Sequence, residues 1–428
     1  MKTKLLAALT ATILGAAPAL ADLVIPALNY RTGPYAPSGI PYADGFSDYM
    51  TLLNERDGGI GGEKIAVQEC ETGYNTEKGV ECYEQTKGNG ALIYIPQSTG
   101  ITYQLIPKVS ADKIPLWSVA YGRTSAVNGK VFEWVFNLPG TYWDAASIMT
   151  KYAMEQEGGS LEGKKIALVY HNSAYGKEPI RTLEALSEKH GFDLSLIPVD
   201  HPGQEQKSQW LQIRRDRPDY VFMWGWGVMN QVAIQEASNI RFPMDHFIGV
   251  WWSGSEGDVV PVGDGADGYK AITWHGAGTD YPAMQAIKST VIDAGKNAGD
   301  GSKFGEVGYN RGVYAAAVVA EAIKQAQDAT GHAAITAAEL RDAMESLEIT
   351  DARWTELGLP EFTGGFKLSC EQHSAPRTAF IQQWSAGDKT WTPVSDFMEP
   401  DLEVIDPLIE EDSMAYAAEA GITPRECN

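Results

Sequence analysis

The fold class of this chain follows from YWDAASIMTKYAMEQE at residues 142–157 and KIALVY at residues 165–170. In the first stretch, apolar side chains recur at i, i+3, i+4 and i+7, which predicts an amphipathic helix. These side chains are Ala145, Ile148, Met149 and Tyr152. The second stretch is a short apolar run, which is typical of a buried strand. A helix and a strand of these lengths in succession indicate a parallel sheet covered by helices.

The same alternation extends to both sides of this pair. Further strands are predicted at Leu23–Tyr30, Lys64–Glu69, Ala91–Ile95, Ile114–Val119, Leu194–Val199, Tyr220–Trp224 and His246–Trp251. The strand spacing resets around Asn137–Thr141, where we expect the chain to cross between two lobes. A chain of 428 residues also exceeds the usual size of one hydrophobic core. We therefore predict an α/β protein with two lobes.

The pattern changes after about residue 275. Helices are predicted at Pro282–Ala294, Tyr309–Thr330 and Thr336–Leu347. Thr336 followed by Glu339 has the spacing of a capping box, in which each side chain satisfies a free backbone N–H. Phe380–Trp384 and Thr390–Val394 predict a β-hairpin, because a Gly-Asp turn separates two short apolar runs.

The N-terminus has the pattern of a secretory signal peptide. Lys2 and Lys4 precede the apolar run Leu5–Ala17, and Ala19-Leu20-Ala21 is a small-x-small cleavage site. We expect residues 1–21 to be removed and the mature chain to be a soluble periplasmic protein, with an uncleaved anchor as the alternative.

The charge and the cysteines limit the classes of partner and the cellular compartment that fit this chain. The formal charge is −22, and removal of the two signal lysines leaves −24. Such a surface repels nucleic acid and anionic lipid, so neither is a predicted partner. Four cysteines in an exported chain favour disulfides, and sequence proximity favours Cys70–Cys82 and Cys370–Cys427 among three possible connectivities. A zinc site is disfavoured because the sequence has no CxxC pair or Cys/His cluster.

Catalytic and cofactor motifs are missing from the sequence. It contains no HExxH, Walker or Gly-x-Ser-x-Gly motif. Residues 263–268 match GxGxxG formally, but Asp264 and Asp267 stand where a pyrophosphate would bind. These aspartates, with Asp258, also lack the spacing of a calcium loop, which favours a solvated acidic loop. We predict no catalytic residues, no cofactor and no metal.

Four stretches, in order along the chain, carry a resemblance to a known family. They are Thr32-Gly33-Pro34-Tyr35-Ala36, Gly58-Gly59-Ile60-Gly61-Gly62-Glu63-Lys64-Ile65, Ala174-Tyr175-Gly176-Lys177 and Gly308-Tyr309-Asn310. From about residue 23 to 395 the chain resembles the branched-chain (hydrophobic) amino-acid binding proteins of ABC importers. The resemblance implies the type I periplasmic binding fold, with two doubly wound parallel-sheet lobes joined by a three-segment hinge. The ligand would lie at the carboxyl ends of the strands, where strand-end reasoning also puts it.

The resemblance also implies a division of the chain and a set of partners. We expect lobe 1 to comprise residues 22–139 and 276–358, and lobe 2 residues 140–275 and 359–428 with the C-terminal tail. The expected partners are a small-molecule ligand and a membrane ABC permease, and the protein is expected to be a monomer. Ligand would bridge both lobes and favour the closed form that the permease recognises.

Eight residues are predicted to bind ligand. Ser98 and Thr99 stand where the family binds the ligand carboxylate, ahead of a predicted helix whose N-terminus suits an anion, although helix capping alone would also explain them. Tyr121 and Arg123 follow the next strand, and Arg123 is either a carboxylate ligand or an exposed arginine. Tyr175 matches a ligand-contacting tyrosine of the family.

In the second lobe, Trp226 occupies a position that the family fills with an aromatic side chain. Where amino-acid-binding members offer an acid to the ligand ammonium, this chain has Val250-Trp251-Trp252-Ser253. An acid is available there only if Glu256 reaches back. We therefore predict an aromatic site built from Trp226 and one of Trp251 and Trp252, which suits an aromatic acid or a quaternary ammonium.

The predicted function is capture of a small hydrophobic or aromatic carboxylate for import. Binding of branched-chain or aromatic amino acids is the first alternative, followed by amides, urea-like solutes and quaternary amines. A secreted α/β enzyme that uses the interlobe cleft is the alternative of another class, and it requires a nucleophile–base pair that the sequence does not display. A sensory ectodomain is disfavoured because no transmembrane segment follows the second lobe.

Overall fold

The structure is a computed structural model that describes residues 22–427. The predicted signal peptide, residues 1–21, lies outside these residues. Over residues 22–427, none of the helices combines the length and the apolar composition that crossing a bilayer requires.

The first sheet, with its helices, is lobe 1. Its N-terminal elements are β1 (Leu23–Asn29), α1 (Ala36–Leu52), β2 (Ile65–Glu71), α2 (Thr76–Thr86), α3 (Thr99–Asp112), β3 (Leu116–Trp117) and β4 (Val135–Phe136). β1 pairs in parallel with β2, and β3 with β4. The predicted strand at residues 91–95 joins the two pairs through single bridges, such as Val24 to Ala91 and Tyr94 to Leu116.

The second sheet, with its helices, is lobe 2. Its main elements are α4 (Tyr142–Gln156), β5 (Lys165–His171), α5 (Ala174–Lys177), α6 (Ile180–His190), β6 (Asp193–Val199), α7 (Lys207–Asp216), β7 (Tyr220–Trp224), α8 (Val228–Asn239), β8 (Phe247–Gly249), α9 (Glu256–Val259) and β9 (Lys270–Thr273). β5 to β9 are parallel, and β7, at the centre, is buried along its whole length. The unbroken apolar run that predicted this strand follows from that burial on both faces.

The remaining elements return to both lobes. They are α10 (Pro282–Ile287), α11 (Val307–Thr330), α12 (Ala337–Glu345), β10 (Glu348–Ile349), α13 (Asp351–Glu356), β11 (Phe366–Lys367), β12 (Phe380–Ser385), β13 (Thr390–Pro393) and α14 (Leu402–Ala420). β12 and β13 form the predicted hairpin, and they extend the second sheet in the order β13-β12-β9-β8-β7-β5-β6. The predicted capping box of Thr336 and Glu339 is confirmed at the start of α12.

Helices α1 and α11 cross at very short distance in lobe 1. A Cβ atom on Gly45 would lie 2.0 Å from the carbonyl oxygen of Tyr309, and one on Gly312 would lie 2.2 Å from that of Tyr42. Both positions therefore require glycine. The contact fixes Tyr42 of α1 close to Arg311 of α11.

The C-terminal helix α14 contacts both lobes. Asp412 pairs with Arg123 of lobe 1 at 2.6 Å, and Asp401 pairs with Lys189 of lobe 2 at 2.6 Å. Both predicted disulfides, Cys70–Cys82 and Cys370–Cys427, are confirmed, and the second holds the end of the tail. The predicted residue boundaries of the two lobes stay a prediction.

Candidate functional site

A small cavity of about 20 Å³ lies between the two lobes, at the carboxyl ends of their strands. Aromatic side chains form most of its wall, and the other lining residues are polar and uncharged. The lining residues are Tyr30, Tyr42, Tyr74, Gln97, Ser98, Thr99, Tyr121, Tyr142, Tyr175, Trp226 and Trp252. This space is roughly that of one water molecule, so a small-molecule ligand enters only when the two lobes move apart.

Lobe 1 contributes residues that follow its strands. Tyr30 comes directly after β1, and Ser98 precedes α3 and accepts a hydrogen bond from the Ile101 N–H as its N-cap. The sequence left capping and ligand binding as alternatives for Ser98, and the geometry permits both because it caps the helix and also lines the cavity. Gln97 has a φ of 50°, an unusual value for a residue other than glycine. Its backbone N–H donates to the Tyr121 hydroxyl at 2.8 Å.

Lobe 2 contributes the opposite wall. Tyr142 opens α4, Tyr175 lies in α5, and Trp226 and Trp252 follow β7 and β8. The Trp226 and Trp252 rings meet edge to face, with centroids 5.4 Å apart. The Tyr175 hydroxyl donates to the Gly225 carbonyl at 2.8 Å, which fixes the turn that carries Trp226.

Three buried donors in the wall have no acceptor among residues 22–427. They are the Tyr42 hydroxyl, Trp226 Nε1 and Trp252 Nε1. Burial raises the pKa of Tyr42, so its hydroxyl keeps its proton. A buried donor without an acceptor is costly, so these three groups favour a ligand that carries hydrogen-bond acceptors.

Six of the eight predicted ligand-binding residues line the cavity, namely Ser98, Thr99, Tyr121, Tyr175, Trp226 and Trp252. The other two lie outside its wall. Arg123 forms an ion pair with Asp412, and its guanidinium carbon is 4.7 Å from the centroid of the Tyr416 ring. Trp251 lies behind the wall, where its Nε1 donates to the Ala120 carbonyl at 2.8 Å and its ring stacks on Tyr142.

Tyr30, Tyr42, Tyr74, Tyr142 and Gln97 also line the cavity but were not among the eight predicted residues. Two of them had a signal, because Tyr30 ends a predicted strand and Gln97 precedes the predicted Ser98–Thr99 pair. Tyr42 and Tyr142 lie on helices, where their spacing equally fits ordinary core residues. Only the packing of the two lobes brings them to one cavity.

Two acidic side chains that follow β8 in lobe 2 already have hydrogen-bond partners outside the cavity. Glu256 does not reach back to the cavity, and its carboxylate accepts the backbone N–H of Val307 at 2.9 Å. Asp258 accepts from Asn230 at 2.9 Å and from Ser255. Burial raises the pKa of Glu256 to about 7 and that of Asp258 to about 6. In the described part of the chain, no group of three or more His, Cys, Asp or Glu side chains is arranged as a metal site.

Hydrogen bonds join the lobes around the cavity. The carboxylate of Glu178 in lobe 2 accepts from the hydroxyls of Tyr103 and Thr124 in lobe 1. The Tyr35 hydroxyl of lobe 1 lies 2.9 Å from His171 Nε2 of lobe 2. The structure therefore has the two lobes in direct contact.

The burial of His171 predicts a pH dependence of stability. Burial, and then the proximity of His201, lowers the pKa of His171 from 6.5 to about 3. Because the unfolded chain binds this proton more tightly, the folded state loses stability as pH falls from about 6.5 towards 3, by about 1.4 kcal/mol per pH unit. We expect His171→Gln to reduce the difference in unfolding free energy between pH 7 and pH 5 by about 2 kcal/mol, measured by urea denaturation.

The buried acids with raised pKa values, Glu256 and Asp258, also make stability depend on pH. Their contribution is present in both wild type and His171→Gln, so the difference between the two proteins isolates the contribution of His171. His332→Gln, on the surface beside Glu339, is the matched control for loss of a histidine. It should keep the wild-type difference between pH 7 and pH 5. An equal change in both variants would contradict the role of His171.

Comparisons with known proteins agree with this fold. The profile of the family described as periplasmic binding protein matches residues 22–389. The Leu/Ile/Val-binding protein homolog 3 of Brucella melitensis biotype 1 is 28% identical over 196 residues, which are 45% of this chain and 51% of the relative. The chain thus spans about half the length of the curated relatives it matches.

Two solved structures extend the likeness. A chain described as an ABC transporter permease from the Pseudomonas fluorescens group is 41% identical, with a TM-score of 0.87 over 95% of this chain and 100% of that chain. A branched-chain amino acid ABC transporter from Thermus thermophilus, solved with bound valine, is 19% identical, with a TM-score of 0.77 over 89% of this chain and 97% of that chain. At that identity, the second likeness shows the fold alone.

Proposed function

The chain belongs to the periplasmic binding protein family, and from this premise we propose that it is the solute-binding protein of an ABC importer. Its proposed ligand is a small hydrophobic or aromatic carboxylate, captured between two closing lobes. The observation that carries the proposal is the aromatic cavity with three unsatisfied buried donors, Tyr42, Trp226 and Trp252.

The chemistry of the wall favours this ligand class. Aromatic rings from both lobes surround the cavity and suit a flat apolar body. The three free donors, and the N-terminus of α3 behind Ser98, suit a group with acceptor oxygens. A quaternary ammonium also suits aromatic walls, but it carries no acceptor and would leave the three donors unsatisfied.

Binding of a branched-chain or aromatic amino acid is the second candidate, and the name of the Brucella relative favours it. An α-ammonium group needs an acidic or carbonyl partner in the site. None of the residues that line this cavity within 22–427 is acidic, and Glu256 is bonded to the N-terminus of α11. This is why we place the carboxylate without an ammonium first.

In the proposed mechanism, ligand acts only through the equilibrium between open and closed forms. A ligand that contacts Tyr121 of lobe 1 and Trp226 of lobe 2 binds the closed form better than the open form, and it therefore shifts the population towards closure. The closed form is the one proposed to dock on the permease, in the periplasm. No bond of the ligand is made or broken in this proposal. The alternative of a secreted enzyme ranks lower because the sequence displays no nucleophile–base pair.

A thermal-shift screen of the protein tests the ligand class. Benzoate and phenylacetate represent aromatic acids, leucine and phenylalanine represent amino acids, and choline represents quaternary amines. A ligand at a hundredfold excess over its Kd should stabilise the folded state by about 2.7 kcal/mol. We expect this shift with an aromatic acid, and a Kd about 30-fold weaker in Trp226→Ala, as for a residue at the centre of a binding site.

The matched control is Trp391→Ala, in β13 and away from the cavity. It should keep the ligand-induced shift, whereas Tyr175→Phe should reduce it because the turn at Gly225 loses its hydroxyl donor. A shift with amino acids alone would favour the second candidate. A shift with choline alone would contradict the argument from the free donors.

A further inference from the structure

Arg311, on α11, is completely enclosed beside the cavity. Its exposed fraction is 2%, although a charged side chain in that position is costly without compensation. Its Nε donates to His275 Nε2 at 3.1 Å, and its Nη1 donates to the Trp251 carbonyl. Its Nη2 has no partner, and no carboxylate forms an ion pair with it, among residues 22–427.

The guanidinium of Arg311 lies against the back of the cavity wall. Its central carbon is 4.8 Å from the centroid of the Trp252 ring and 4.4 Å from that of Trp274. Trp252 lines the cavity from lobe 2, and Tyr42 lines it from lobe 1. The charge of Arg311 lowers the pKa of Tyr42 against the larger, opposite effect of burial, so the two groups are electrostatically coupled. The close crossing of α1 and α11 at Gly45 and Gly312 holds them together.

Among residues 22–427, no acidic side chain bonds directly to this guanidinium. Asp258 is the acid with the largest effect on Arg311, but Asn230 and Ser255 bind its carboxylate. Burial lowers the pKa of Arg311 to about 9, so the side chain is still a cation at neutral pH. The guanidinium contacts Trp252 of the wall directly, so its charge acts on the cavity at short range, and the interior screens it poorly.

We infer that Arg311 is a specificity-determining residue, which makes the cavity prefer a carboxylate to its uncharged isostere and acts on the ligand through Trp252 and Tyr42. This inference rests on the proposed function and extends it. Trp252 and Tyr42 both line the cavity, and the Trp252 N–H and the Tyr42 hydroxyl have no partner among residues 22–427, while the Trp252 ring contacts the guanidinium. Both donors are polarised towards an anion by the charge behind them. In an interior of moderate dielectric, the effect of one such charge is roughly tenfold or more in affinity.

Isothermal titration calorimetry with benzoate and benzamide tests the inference, since the two probes share shape and differ in charge. Wild type should bind benzoate at least about tenfold more tightly than benzamide. Arg311→Gln should bring the two Kd values within about threefold of each other, mainly by weakening benzoate. Arg311→Lys keeps the cation and should keep most of the preference. Equal weakening of both probes in Arg311→Gln would show a structural role only and would overturn the inference.

A second variant changes the same potential in the opposite direction. Asp258→Asn removes the negative charge next to Arg311, so it should increase the preference for benzoate. An unchanged or smaller preference in this variant would contradict the inference, even if Arg311→Gln does not fold.

A further measurement does not depend on an aromatic ligand. Formate and formamide repeat the comparison with the carboxylate or amide group alone, and the melting temperature is the readout. Formate should stabilise wild type more than formamide does, and this difference should vanish in Arg311→Gln. If benzoate fails to bind but formate behaves in this way, the proposed aromatic ligand is wrong and the role of Arg311 stands. Equal stabilisation of wild type and Arg311→Gln by formate would overturn the role of Arg311 in either case.

Discussion

Asp144→Ala should lower the unfolding free energy by about 3–5 kcal/mol, measured by urea denaturation. Asp144, in the first turn of α4, is buried with its partner Arg377, which donates to Oδ1 at 2.8 and 3.0 Å. Its other oxygen accepts the backbone N–H and the hydroxyl of Thr141, the N-cap of α4. The substitution therefore leaves a buried guanidinium without its main anion, and it also removes the half of the capping box in which Asp144 accepts the Thr141 N–H.

Asp406→Ala is the matched control, because Asp406 also pairs with Arg377 at 2.8 Å. Its side chain is 54% exposed, so its ion pair is screened by water and the loss should stay below about 1 kcal/mol. Asp144→Asn separates the two effects, since an amide still accepts a hydrogen bond at the cap. If Asp144→Ala and Asp406→Ala cost the same, burial does not govern the strength of this pair.

Replacing both cysteines of the Cys370–Cys427 disulfide by serine should cost about 4 kcal/mol of unfolding free energy. The two cysteines are 57 positions apart, and the loop they close includes the hairpin β12–β13 and all of α14. Without the link, the unfolded chain gains the conformational entropy of that loop. The tail also loses the restraint that holds Arg425 against the Gly129 carbonyl at 2.9 Å.

The second disulfide provides the control for this prediction. Cys70 and Cys82 are only 12 positions apart, so their replacement should cost about 3 kcal/mol by the same relation. Each double variant keeps the other disulfide intact. Guanidinium denaturation of the two variants shows which one loses more unfolding free energy. A larger loss for the short loop than for the long one would contradict the loop-entropy argument.

Most of the fold could be predicted from the sequence because its strands are short apolar runs between amphipathic helices. The central strand Tyr220–Trp224 is confirmed with the same bounds. The hairpin of β12 and β13 is confirmed too, although each of its strands ends one residue from the predicted position. The predicted strand at His246–Trp251 is shorter in the structure, since β8 ends at Gly249 and Trp251 begins a short 3-10 turn. That turn directs Trp252, and not Trp251, to the cavity wall.

The candidate site was predictable only where it follows strand ends. Ser98, Tyr121 and Trp226 each stand after a strand, and each lines the cavity. Arg123 also follows a strand, but its partner Asp412 comes from α14, 289 positions later in the chain. No local sequence pattern predicts a contact between residues so far apart in the chain. The proximity of Tyr42 to Arg311 could not be predicted from the sequence for the same reason, because it depends on how α1 and α11 cross.

The position of α14 limits how the two lobes can move apart. Asp412, in the middle of this 19-residue helix, pairs with Arg123 of lobe 1, and Asp401, just before the helix, pairs with Lys189 of lobe 2, so the helix bridges the two lobes. A bridge of this kind opposes sliding of the lobes past each other. It permits a rotation in which the helix travels with one lobe and releases its ion pairs with the other. In the opening that the proposed function requires, water must solvate these released charges each time.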